Sequence, residues 1–261
     1  MKDMNITLAT RDLSIGYPTR VVARDINLNL RGGEVTAMLG ENGAGKSTLI
    51  RTLIGELSPL SGEIELLGKP LASYSRRRMA TTVSLVTTES IDAFRITVNE
   101  LVALGRQPHT GIFGRLSAKD RESVADALVK VGIRHKAAET IDRLSDGERQ
   151  KAMIARAIAQ DTPIILLDEP FSFLDVASRV EILDLLKEIS RARNTTILFS
   201  THDVSQALRM ADNILLFTPG GAISQARPAE FVANGQISSL FPGRNVVFDP
   251  SQSDFISLKH P

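Results

Sequence analysis

The chain has 261 residues, 43% of them hydrophobic and 23% charged, enough for a large globular domain with ample core. Its 31 Lys and Arg balance 30 Asp and Glu, so no global field favours nucleic acid or an anionic membrane surface. The absence of cysteine excludes disulfides and thiolate metal sites and permits a cytoplasmic home. Met1 to Thr10 lacks a signal-peptide pattern, and no apolar run approaches the ~18 residues of a membrane span.

Residues 6–30 alternate and carry β-formers, which predicts antiparallel strands with a turn near Pro18. Glu34 to Leu39 reads as a buried strand. Gly40-Glu41-Asn42-Gly43-Ala44-Gly45-Lys46-Ser47-Thr48 follows it and fits G-x-x-x-x-G-K-[ST]. Leu49, Ile50, Leu53 and Ile54 then recur at helical spacing. A strand feeding a helix through such a loop aims backbone N–H groups and a helix N-terminus at one point, as a nucleotide phosphate requires. Lys46 adds a positive charge for the β- and γ-phosphates, and Ser47 offers a hydroxyl to Mg²⁺.

Ile64 to Leu67 and Val83 to Val86 read as further strands. Residues from about 97 to 160 are helical by pattern. Val98, Leu101 and Val102 lead, and Ser117 with Asp120 caps a helix whose Val124, Leu128 and Val131 share a face. Ser145-Asp146-Gly147-Glu148 is a capping box opening a helix over Arg149 to Gln160. Ile164 to Leu167 is an apolar strand ending in Asp168-Glu169. In phosphate-loop enzymes the first acid holds Mg²⁺ and an acid at the strand tip orients the attacking water. That assigns Asp168 to the metal and Glu169 to the general base.

A helix follows with Val180, Leu183, Leu186 and Ile189 in register, then strands over Thr195 to Ser200 and Asn213 to Phe217. Strands alternating with helices predict an α/β fold with a parallel sheet. No structure is assigned to residues 219–261. The runs Arg76-Arg77-Arg78 and Arg191-Ala192-Arg193 read as solvated helix faces. No internal repeat is visible, and the four histidines show no metal-ligand spacing.

Leu144 to Gln150, placed before Asp168, resembles the family motif of the ATP-binding cassette ATPases. Thr201-His202-Asp203 resembles that family's switch histidine, Phe173-Leu174-Asp175 its D-loop, and Tyr17 its adenine-stacking aromatic. The resemblance spans residues 6 to 218. It implies a phosphate-loop ATPase core with a parallel sheet, an N-terminal antiparallel β subdomain and an inserted helical subdomain over about 89–160. The cassette would occupy residues 1–218, with 219–261 as an extension.

The resemblance further implies a head-to-tail homodimer burying two ATP molecules with Mg²⁺. One copy would supply Tyr17, the 40–48 loop, Asp168, Glu169 and His202. The other would supply Ser145 and Gly147, with Asp175 across the interface. Three positions depart from the pattern. Thr88, beside Glu89, stands where the family has a metal-contacting glutamine; either Glu89 substitutes or water completes the shell. Asp146 replaces a glycine and is expected to point outward. Glu148 replaces a glutamine.

Thr97 to His109 looks like a segment of the ATPases of bacterial importers of ferric siderophores, haem or cobalamin, and Asp120, Ala127-Leu128 and Gly132 continue the likeness. That implies two copies of a permease chain, an external substrate-binding protein, and a place at the cytoplasmic face of the cell membrane. The alternative is a soluble cassette ATPase acting on ribosomes or DNA. A single cassette, no sustained heptads and balanced charge weigh against it.

Overall fold

Pro18-Thr19 turns β1 (Ile6–Tyr17) back into β2 (Arg20–Arg31), and the two pair antiparallel from Tyr17↔Arg20 to Ile6↔Arg31. Proline presets the backbone angle such a turn needs. Leu8, Leu13, Ile15, Ile26, Leu28 and Leu30 are buried from these strands. This computed structural model describes residues 5–87, 95–111, 114–218, 220–240, 246–249 and 254–257. The chain divides into two units, Met1–Ser73 with Leu198–Pro261, and Tyr74–Ile197.

In the first unit, β3 (Val35–Leu39) is buried along its whole length and leads through the 40–45 loop into α1 (Lys46–Leu53). Leu49, Ile50 and Leu53 are buried on α1. β4 (Ser61–Leu66) pairs antiparallel with β1, and β5 (Lys69–Pro70) with β4, completing a four-stranded antiparallel sheet. The strand expected to include Leu67 ends one residue earlier, because Leu67 takes φ 48 in the turn to β5.

In the second unit, Ser75 caps α2 (Arg76–Ala80), leaving all three arginines exposed, with the Arg78 guanidinium 4.9 Å from the Tyr74 ring centroid. β6 (Val83–Val86) pairs parallel with a later strand. α3 (Val98–Leu104), α4 (Ala118–Lys130) and α5 (Asp146–Gln160) each begin in a capping box, at Thr97/Glu100, Ser117/Asp120 and Ser145/Glu148. α5 starts at Asp146 rather than Arg149, because a capping serine makes the next residue the first helical one. Val98, Leu101, Val124, Leu128, Ile154 and Ile158 form the core of this lobe.

β7 (Ile164–Leu167) is the parallel partner of β6, in register from Val83↔Ile164 to Val86↔Leu167. α6 (Val176–Arg193) is capped by Asp175 and stopped by Asn194 at φ 54. Its buried face differs from the expectation. Val180 is 48% exposed, and Ile182 joins Leu183, Leu186 and Ile189 in the stripe. At 3.6 residues per turn Val180 points away from the mean direction of those four.

β8 (Thr196–Thr201) spans the boundary between the units and is fully buried. In the first unit follow α7 (Val204–Met210), β9 (Asn213–Phe217) and β10 (Ile223–Ala226). β9 runs parallel to β3 and β10 antiparallel to β9. The expected parallel pairing is thus present in both units, as is the N-terminal antiparallel sheet.

The segment left unassigned by sequence contains β10, then α8 (Pro228–Ala233), a 3₁₀ turn over Gln236–Leu240, and the hairpin of β11 (Val246–Asp249) with β12 (Asp254–Ser257). The Gln225 side chain accepts the Asn29 N–H at 3.1 Å and donates to the Asn29 carbonyl at 2.9 Å. Its amide so takes the place of a strand partner on the edge of β2.

Candidate functional site

Three of the expected site elements lie in the first unit: Tyr17, the 40–48 loop and His202. Gly43 and Gly45 adopt φ 81 and φ 105, which side chains rarely tolerate. A Cβ at Gly45 would also run into Val22 Cγ1, and one at Gly40 would sit 2.7 Å from Phe217 Cβ. The loop is therefore pressed between β2 and β9. Neither Val22 nor Phe217 stood out in the sequence, because each reads as an ordinary strand residue.

Gly45 caps α1 without a side chain, so none competes for the helix's first N–H groups. Such amides are an anion site. Lys46 is buried, and its ammonium donates to the carbonyls of Gly40 at 2.6 Å and Glu41 at 3.0 Å. Those bonds fix the charge over the loop. Ser47 is exposed, while Glu41, Ala44 and Thr48 are half-buried and Asn42 is exposed. Tyr17, at the turn between β1 and β2, is 42% exposed. His202 is exposed between β8 and α7.

Ser145, Gly147, Asp168, Glu169 and Asp175 lie in the second unit. Glu148 Oε2 accepts from the Ser145 N–H at 2.9 Å and from its hydroxyl at 3.0 Å. The Ser145 N–H foremost holds the Glu148 carboxyl below its ordinary value. Asp146 is exposed, as expected, and accepts from Arg149 Nη1 at 3.1 Å. A Cβ at Gly147 would sit 3.1 Å from the Phe173 carbonyl, so the start of α5 lies against the loop before Asp175.

Asp175 is committed to its helix. Oδ1 accepts the Ser178 N–H at 2.8 Å and Oδ2 the Ser178 hydroxyl at 2.9 Å. Those bonds, the backbone one first, lower its pKa. Asp168 follows β7, its N–H donating to the Val86 carbonyl at 2.8 Å. Glu169 takes φ 46, unusual for a residue with a side chain, and Ser172 Oγ donates to its Oε2 at 3.3 Å. Backbone held in this region marks a position over-determined by its surroundings and is frequent at active sites. Thr88 and Glu89 lie outside the described residues.

The 97–109 segment is tied into the helical lobe. Arg106 is buried; its Nε donates to Asp120 Oδ1 at 2.9 Å and its Nη1 to the Ala159 carbonyl at 2.7 Å. His109 Nε2 lies 2.7 Å from the Gln160 carbonyl. Two side chains thus meet the carbonyls that end α5. A Cβ at Gly105 would run into the Arg156 carbonyl, so glycine is required where α3 ends against α5.

Residues 23–172 match the family model described as ABC transporter. The chain belongs to the ABC transporter family. Relatives extend the match beyond that range. The ferric enterobactin transport ATP-binding protein FepC of Escherichia coli K12 is 36% identical over 93% of this chain and 89% of its own length. The iron(3+)-hydroxamate import ATP-binding protein FhuC of Bacillus subtilis is 33% identical over 97% and 95%. A solved metal-chelate type ABC transporter in an inward-facing conformation superposes with a TM-score of 0.79 at 28% identity, covering 97% of this chain and 96% of that one.

As an ABC transporter ATPase the chain binds and hydrolyses ATP to drive transport. The relatives favour transport over the ribosome or DNA reading. Among the described residues no helix is long and apolar enough to cross a membrane. As the ATP-binding component of an ABC transporter, the chain works with membrane partners.

Proposed function

We propose that this chain energises an importer of ferric siderophores, haem or cobalamin from the cytoplasmic face of the cell membrane. The observation that carries this reading is similarity, over 93% and 97% of the chain, to ATP-binding proteins named for ferric enterobactin and iron(3+)-hydroxamate transport. Two copies associate head to tail, bind two copies of a permease chain, and serve an external substrate-binding protein. The cassette is residues 1–218, with the helical lobe at about 89–160 receiving the permease through residues 97–109.

In each ATP site Tyr17 stacks on adenine, and the 40–48 amides and Lys46 hold the phosphates. Among the described residues no group of three or more His, Asp or Glu forms a metal cage. The donor types assigned to the metal, a serine hydroxyl and a carboxylate, are the hard oxygens that Mg²⁺ takes together with substrate phosphates. Ser47, Asp168 and Thr88, or Glu89 in place of Thr88, would hold it, and the ion would neutralise charge building on the β- and γ-phosphates. Glu169 orients the attacking water and accepts its proton. His202 contacts the γ-phosphate. Ser145 and the start of α5 at Gly147 come from the other copy and complete the site, and Asp175 lies at that interface. Closing the dimer excludes water, which strengthens every one of these electrostatic contacts.

Glu169→Gln tests this division of labour. It keeps the ATP contacts and removes the base, so ATP should bind, hydrolysis should stop, and an ATP-dependent dimer should accumulate in size-exclusion chromatography with light scattering. A variant hydrolysing ATP at the normal rate contradicts the assignment.

A further inference from the structure

Three hydrogen bonds enclose the turn that carries His202. The Thr201 hydroxyl accepts the Asp203 N–H at 3.1 Å and donates to Gln206 Oε1 at 2.9 Å. Asp203 Oδ1 accepts the Gln206 N–H at 2.9 Å, capping α7. Thr201, Asp203 and Gln206 therefore each bind the other two, and His202 sits inside the ring while its side chain is exposed. Thr201 and Gln206 are 6% and 7% exposed.

Gln206 is an unfavourable choice for stability alone. Its Nε2 is buried with no hydrogen-bond partner among the described residues. A buried donor left unmade destabilises a fold, and an apolar side chain of the same size would avoid that loss. What the amide does supply is a fixed acceptor for the Thr201 hydroxyl, which leaves that oxygen oriented toward the Asp203 N–H. This one arrangement ties the Thr201 side chain before His202 to the peptide N–H after it.

We propose that Thr201 and Gln206 are positioning residues for ATP hydrolysis, holding His202 at the angle from which its imidazole reaches the γ-phosphate. The inference rests on the reading of His202 given above. Orientation matters here because a misplacement of about 1 Å can reduce a rate by roughly 100-fold. Neither residue touches ATP. Loss of the ring should lower kcat while leaving ATP affinity intact, since the histidine acts on the transition state.

The test uses the full chain, with Gln206→Met, Thr201→Val, Thr201→Ser and His202→Ala compared by kcat, KM for ATP and Tm. Gln206→Met keeps side-chain length and deletes both amide ends. It should lower kcat about tenfold with KM within about twofold and Tm unchanged or raised. Thr201→Val should match it in kcat, and Thr201→Ser, which restores the hydroxyl, should recover the wild-type rate. A normal kcat in Gln206→Met beside an inactive His202→Ala overturns the inference alone. A normal kcat in His202→Ala overturns the reading of His202 and the inference with it. A kcat loss that simply follows a falling Tm assigns the ring to stability and also overturns it.

Discussion

Arg106→Met removes the cation that joins three helices of the lobe. Arg106 Nε meets Asp120 of α4, and Nη1 meets the Ala159 carbonyl near the end of α5, while Arg106 itself follows α3. Side-chain exposures of 6% and 9% make this a buried pair. Removing one partner of such a pair costs about 3–5 kcal/mol, because the remaining charge stays buried. Asp120 keeps the Ser117 N–H at 2.9 Å and the Ser117 hydroxyl at 2.6 Å, which places the loss toward the lower end. At about 2–4 °C per kcal/mol for a chain of this size, Tm should fall on the order of 10 °C. Scanning calorimetry measures it. Adding Asp120→Asn should restore part of the loss, with a coupling of about 1 kcal/mol or more. A Tm within about 1 °C of wild type, or strictly additive losses in the double variant, would refute the claim that the pair holds the lobe.

Gly45→Ala should lose ATP binding by at least about tenfold in a fluorescent-nucleotide titration, since the added carbon meets Val22 and the backbone sits at φ 105; wild-type affinity would show that the loop opens freely. The Asp120 carboxyl is lowered from 3.8 to about 2, by the Ser117 hydroxyl first, then the Ser117 N–H, with Arg106 adding to them. A depressed pKa means the folded chain resists protonation, so this contribution is complete above pH 3.8 and drains as pH falls toward about 2. In urea titrations the stability gap between wild type and Asp120→Asn should therefore narrow as pH drops through that window. A constant gap would show that Asp120 does not titrate as described.

The parts of the molecule legible in the sequence are those fixed by neighbours in the chain. The phosphate loop between β3 and α1, and the capping boxes at Ser117 and Ser145, depend on spacings of a few residues, and the structure contains each of them. The exposure of Val180 was not legible, because four apolar residues at helical spacing do not say which edge of the stripe faces solvent. Nor was the clip between Gln225 and Asn29, which joins residues 196 positions apart. The same holds for Val22 and Phe217 behind the loop glycines, where only packing reveals the contact. At the site, the Thr201 and Gln206 ring left a faint trace: an aspartate three residues before Gln206 signals a helix cap, but nothing local shows that the threonine closes it.

Uptake tests the central claim most directly. A strain lacking this chain, supplied with labelled ferric siderophore, haem and cobalamin, should fail to import at least one of them. The wild-type chain should restore that uptake and Glu169→Gln should not. Undiminished uptake of all three without the chain, or full rescue by Glu169→Gln, would contradict the account.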